Sequence, residues 1–153
     1  MIFVVGCGNS STENSDNTNI NPTDWQINLT SYDITNWVDS EISGYGYEAD
    51  SGYNWILINL EMTNITNTNK NINWMSSTFK FISADNNIYS LSLAYNDPPG
   101  YIDTNFKPQQ TKNGFIAFEI PKDLNVNNAK LKWFPEDENS ITIKLTNLTE
   151  INK

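Results

Sequence analysis

From Trp25 onward, apolar and polar residues alternate with a period of two along most of this chain. Trp25, Ile27 and Leu29 share one parity, while Gln26, Asn28 and Thr30 share the other, as in a strand with one face in a core. Tyr32 and Ile34 then continue on the opposite parity, which predicts a bulge or bend after Leu29. The run Trp55–Asn64 places Ile56, Ile58, Leu60 and Met62 on one face and Asn59, Glu61 and Thr63 on the other. It is the clearest strand and is predicted to be central. Phe79 and Phe81 alternate with Lys80, and Ile88–Leu93 follows Ala84-Asp85-Asn86-Asn87. Asp and Asn bond their own backbone and tolerate the left-handed region, so Phe79–Leu93 reads as a hairpin. Ile116, Phe118 and Ile120 form a face that stops at Pro121. Leu131 and Trp133 alternate with Lys130 and Lys132, and Ile141, Ile143 and Leu145 alternate with Thr142, Lys144 and Thr146. Pro135–Asn139 joins these last two runs as a second hairpin. Helical periodicity is scarce, and Asp123–Asn128 is the one stretch with room for a helical turn.

Short strands separated by turn signals predict an all-β protein, an antiparallel sandwich of about seven to eight strands. A single cysteine excludes an intramolecular disulfide, and the Cys–Trp–Cys pattern of antibody domains is missing. The sheets must therefore hold by packing alone. Trp25, Trp55, Phe79, Phe81, Phe118 and Trp133 are the expected anchors, each burying about 150–250 Å². The chain is long enough for one domain, and such a domain buries roughly two-thirds of its unfolded surface.

The charge distribution narrows the partners. The net charge is −9, with nine basic residues, all lysines, and no histidine. No lysine precedes Lys70, so the acids from Glu13 to Glu61 are unopposed. That polarity speaks against nucleic acid, which needs a basic stripe, and against contact with an anionic membrane surface. Net charge serves solubility. Abundant asparagine, isoleucine and lysine match the coding bias of an AT-rich genome. The same bias accounts for the sequons at Asn28, Asn64 and Asn147.

The N-terminus carries the most specific signal. Val4-Val5-Gly6-Cys7 is followed at once by a polar run through Asn19. Apolar residues, a small residue, cysteine and a hydrophilic stretch are similar to a prokaryotic lipobox, with Cys7 as the lipid attachment site. Residues 1–7 then end a signal, residues 8–23 are a flexible tether too polar to order itself, and residues 24–153 are the folded domain. A signal's apolar region spans roughly 7–15 residues, more than precedes Gly6, so the start is expected upstream. The alternative reading is a first strand with a buried thiol. No other stretch approaches the roughly 20 apolar residues of a membrane span.

Ile56–Asn64, a long strand ending in asparagine, resembles a domain-of-unknown-function family of prokaryotic lipoproteins, described as telokin-like or immunoglobulin-like. The family's Asp-x-x-x-Tyr turn is matched by Asp85–Tyr89, and its Gly-x-x-x-Phe-x-x-Pro strand by Gly114–Pro121. Pro108-Gln109-Gln110 stands where the family has Pro-Gly, and Ile141–Leu145 resembles its closing strand. The resemblance covers residues 25–146. It implies an extracytoplasmic immunoglobulin-like β-sandwich behind a lipid anchor on the cell membrane, and it implies no activity.

The residues offer little catalytic chemistry. Without histidine there is no Ser-His-Asp or Cys-His machinery. Ser77-Thr78-Phe79-Lys80 matches Ser-x-x-Lys but falls on a strand rather than a helix start, so chance explains it. Zinc lacks ligands, and no cofactor is implied. Calcium candidates are Asp85-Asn86-Asn87, Asp97–Asp103 and Glu136–Asn139, all of which are also good turn sequences. A carboxylate hydrolase stays open only because carboxylate pairs meet in the fold. The segment 36–53 reads as a long loop without structure of its own, the kind that is usually functional or disordered. It carries Trp37, Tyr45, Tyr47 and Tyr53 among four acids, which suits a binding loop for a sugar ring or a protein partner. The plainer reading is that Trp37 and one or two tyrosines tuck onto the sandwich. The sequence therefore points to a lipid-anchored envelope module that contacts another surface protein or a glycan, without enzymatic activity. The alternative is a glycan or calcium binder.

Overall fold

A computed structural model describes residues 19–20, 24–40, 45–72, 79–91, 102, 105–134, 140–145 and 148–151. These residues form thirteen strands and no helix. The first sheet is built on β2 (Trp25–Thr35), β5 (Tyr53–Asn64) and β10 (Thr111–Pro121), antiparallel with β5 in the middle. The second sheet runs in the order β12 (Ile141–Lys144), β11 (Lys130–Trp133), β7 (Phe79–Ile82) and β8 (Ile88–Ser90). Two small ladders add β3 (Trp37–Asp39) with β4 (Gly46–Glu48), and β6 (Lys70–Asn71) with β9 (Asn105–Phe106). The alternation predicted each of the seven main strands. The slip after Leu29 is a register shift between Leu29 and Ser31 against β5. Asn86 takes φ 63° in the β7–β8 turn, the left-handed conformation for which Asn is suited.

Both sheets turn their apolar faces inward, which makes the molecule a β-sandwich. Trp25 of the first sheet meets Trp133 of the second edge-on at 6.0 Å, and Trp133 stacks on Phe79 at 5.7 Å. Phe118 of the first sheet meets Phe81 of the second at 5.9 Å. Such pairs contribute about 0.5–1.5 kcal/mol each beyond their burial. All six expected aromatic anchors are buried. Leu91 bridges to Phe118, so one edge of the second sheet reaches the first.

The outer edge of β2 is covered in two pieces. β1 (Asn19–Ile20), inside the stretch read as tether, pairs antiparallel with Ile27 and Asn28. β13 (Thr149–Glu150) pairs parallel with Ser31 and Tyr32. An open edge of this length would offer unpaired backbone groups to other chains. Asp123–Asn128 forms turns rather than a helical turn: Leu124 N–H donates to the Pro121 carbonyl and Ala129 N–H to that of Val126. The reason is local, because the Asn125 side chain accepts from Asn127 N–H at 2.9 Å and so competes with helical bonding.

Asn64, at the end of β5, is fully buried and uses its whole amide. Its Nδ2 donates to the carbonyls of Thr68 at 2.7 Å and Lys107 at 3.0 Å. Its Oδ1 accepts from Thr66 N–H at 3.0 Å and Thr66 Oγ1 at 2.8 Å. Gln109, at φ 57°, donates in the other direction to Ile65 and Thr66 carbonyls at 2.8 and 3.1 Å. One side chain thus joins the turn after β5 to the turn before β10. Asn64→Leu fills similar volume but leaves these buried groups unpaired, for an expected loss of about 2–4 kcal/mol. Urea unfolding should show a lower midpoint at unchanged slope. Asn64→Asp, which keeps the acceptors and removes both donors, should lose at least as much; a loss no larger than that of a surface substitution would mean water replaces the amide.

Candidate functional site

The segment 36–53 is not the structureless loop its sequence suggests. It holds the β3–β4 hairpin, with Trp37 opposite Glu48, Val38 opposite Tyr47 and Asp39 opposite Gly46. Three residues on each arm are too few for alternation to stand out from background. The hairpin is fixed at one end of the first sheet. Ala49 N–H donates to Asn36 at 2.9 Å, Asp50 N–H to the Glu119 carboxylate at 2.6 Å, and Tyr53 N–H to Asp50 at 2.8 Å. Gly52, at φ 89°, supplies the left-handed residue of the turn into β5.

Trp55 explains what the hairpin covers. Its parity in β5 points it away from Ile56 and Ile58, toward the outer face of the first sheet. It is nevertheless buried, and its indole N–H donates to the Tyr47 carbonyl at 2.9 Å. Val38 is buried, and Tyr47 and Ala49 are half-buried against the core. The inner side of the hairpin is thus a lid on Trp55.

The outer side of the hairpin carries Trp37, Asp39, Gly46 and Glu48, which alternation sets on one face. The Trp37 indole lies along this face. Its Nε1–H donates to Asp39 Oδ1 at 2.8 Å, and Thr35 Oγ1 bonds both its backbone N–H and its carbonyl. Gly46 is the condition for this pose, because a Cβ there would stand 2.4 Å from two atoms of the indole and 2.6 Å from the Val38 carbonyl. The ring is therefore held flat on a residue without a side chain, and 44% of Trp37 remains exposed. An aromatic face fixed in advance gives contact area with little entropy left to lose on binding. Asp39 and Glu48 put carboxylate acceptors beside it.

The four aromatics singled out in the sequence separate into different roles. Trp37 is the platform. Tyr45, 69% exposed, stands just before β4. Tyr47 points inward and is half-buried, and Tyr53 is exposed where β5 begins opposite Pro121. Asp39 and Glu48 are two of the four acids of the segment, and with Gly46 they form a Trp-x-Asp and Gly-x-Glu pairing that becomes apparent only through the hairpin register. Cys7 and most of the Asp97–Asp103 segment lie outside the described residues, as does Glu136–Asn139. Asp85-Asn86-Asn87 forms the turn of the β7–β8 hairpin, closed by Ser83 and Asn87. Among the described residues no three acidic side chains gather as metal ligands would. Lys80 of the Ser-x-x-Lys match lies on β7 and donates to Ser90 Oγ at 2.9 Å.

The model of a domain of unknown function, DUF4352, matches residues 12–137. No curated protein matches the sequence significantly. Solved structures share the fold at low identity. An uncharacterized β-sandwich protein from Clostridium difficile is 17% identical, with a TM-score of 0.56 over 83% of this chain and 89% of that one. A candidate lipoprotein from Bacillus subtilis is 16% identical, with a TM-score of 0.57 over 84% of this chain and 38% of its own. A candidate lipoprotein from Staphylococcus aureus is 16% identical, with a TM-score of 0.53 over 88% and 93%.

Gly46→Ala forces the Trp37 ring off its seat and meets the Val38 carbonyl. It should destabilise the chain by about 1–3 kcal/mol, the range for overpacking, and should change the near-ultraviolet circular dichroism. Trp37→Ala in the Gly46→Ala background should recover part of that loss but not all, because the backbone contact stays. Full additivity of the two substitutions would show that the ring does not lie over Gly46.

Proposed function

We infer that this chain, which belongs to the DUF4352 family of domains of unknown function, is a non-catalytic recognition module of the cell envelope. Trp37 carries the recognition reading. An indole clamped by Asp39 and Gly46 with a face left open is a poor use of a tryptophan for stability and a good one for contact. Lipid on Cys7 would hold the module outside the cytoplasm. That part of the reading is supported by the lipobox-like Val4–Cys7, by the polar stretch after it, and by structural neighbours named as candidate lipoproteins. Stable anchoring needs more than one acyl chain, as a diacylated cysteine would supply.

A glycan is the second reading, favoured by one arrangement. Asp39 and Glu48 flank the indole, and a sugar stacked on it would find acceptors for its hydroxyls. A protein partner would use the same platform.

Two measurements separate these ideas. Expressed in its own host from a gene extended to an upstream start, the mature chain should begin at diacylated Cys7 and pellet with membranes. A soluble chain retaining Met1–Gly6 would end the lipoprotein reading. Against a panel of envelope glycans, Trp37→Ala should lower affinity at least tenfold, about 1.4 kcal/mol, with an unchanged unfolding midpoint. A glycan that binds wild type and the variant equally would exclude the platform as its site.

A further inference from the structure

The strand register gathers lysines that the sequence scatters. Lys130 stands between Lys144 and Ile82, and Lys132 stands between Thr142 and Lys80. Lys80 and Ile82 continue to Ser90 and Ile88. Their neighbours Phe79, Phe81, Leu131, Trp133 and Ile143 are all buried, so these residues form the outer face of the second sheet. Four of the nine lysines stand there, and among the described residues no acid does. Strands lie about 4.8 Å apart and alternate residues about 6.6 Å, which sets the four lysines within roughly 15 Å. Ile88, 65% exposed, and the exposed Phe134 flank them, with the Lys132 ammonium 4.9 Å above the Phe134 ring. The outer face of the first sheet is the opposite: it carries Asp33, Glu61 and Glu119 and no described lysine.

We propose that this lysine face is the surface by which the domain lies against an anionic lipid bilayer. The proposal rests on the lipid-anchor reading, which brings the domain to a membrane. A broad sheet face with lysines between apolar residues suits a plane of phosphates: the stems lie along apolar surface while the ammonium groups reach the headgroups. The net charge of −9, which in the sequence alone speaks against such contact, opposes this, and salt and distance weaken the opposition. With the sheets about 10 Å apart, Asp33, Glu61 and Glu119 stand on the side turned away from the bilayer, farther from its headgroups than the solution Debye length of about 8 Å at physiological ionic strength. The eleven residues between Cys7 and Asn19 can span up to about 40 Å, enough to let either face turn to the membrane. The anchor has already met the entropy of association, so the lysines need only bias orientation.

The lysines report on themselves. The full chain, carrying a maleimide lipid on its single cysteine, is placed on vesicles of phosphatidylcholine with or without phosphatidylglycerol. Acetylation is then timed at each lysine by mass spectrometry. Lys80, Lys130, Lys132 and Lys144 should react severalfold more slowly on the anionic vesicles, while Lys107 and Lys122, exposed elsewhere, keep their rates. High salt, about 1 M, should remove the difference, since the Debye length falls to about 3 Å. Equal rates on both vesicles, or uniform slowing of every lysine, would overturn the proposal. Slowing that follows protein density on neutral vesicles would overturn it in favour of a second copy as occupant. Because the lipid is attached chemically, either outcome is independent of whether the cell acylates Cys7.

Discussion

The structure depends on β5 being hydrogen-bonded along both edges at once. β2 and β10 pair with it over nearly its full length, so its backbone groups are satisfied only when both neighbours are in place. Its two faces then have separate tasks. Ile56, Ile58, Leu60 and Met62 fill the space between the sheets, while Trp55 points outward and is buried under the hairpin. Asn64 closes the strand by tying two turns together. Core, β3–β4 hairpin and turn junction therefore all hang from one strand.

With no disulfide available, the facing sheets are joined by rings. Phe106, Trp25, Trp133 and Phe79 make a continuous chain of contacts through the interior, and Phe81 with Phe118 makes a second. The edge of β2 needs separate protection, which the short strands on either side of the domain supply, one antiparallel and one parallel. An uncovered edge would be the first place for unwanted pairing between copies of the chain.

Much of this was legible because period-two patterning reports burial directly. The bulge in β2 and the inward face of β5 follow from parity alone, and the two hairpins of the second sheet follow from parity with the turn residues between their arms. Trp55 shows the limit of that logic. Its size marks it as buried, but its parity sets it on the wrong side, and only the hairpin over it reconciles the two. That hairpin is hard to read because its arms are short and its key residue, Gly46, matters through what it lacks. Lys80, Lys130, Lys132 and Lys144 are far apart in sequence, and their common face exists only through register between strands. Asn64 was visible as the end of a strand through a family resemblance, but nothing in the sequence marks its amide as a junction. The reading of Cys7 as a lipid attachment site rests on sequence, and the residue lies outside those the structure describes.

The buried amide of Asn64 also decides how this chain would fare in a eukaryotic secretory pathway. Asn64-Ile65-Thr66 is an acceptor sequon, and Asn64 is reachable only while the chain is unfolded. A sugar added there would replace an N–H that the Thr68 and Lys107 carbonyls require and would have no space inside the closed junction. Folding and glycosylation would therefore compete for the same atom, and every chain that lost the race would be unable to close the domain. Asn28, on the outer face of β2, sets no such trap. For this sandwich, the order of two events in a foreign cell matters more than the stability of the finished fold.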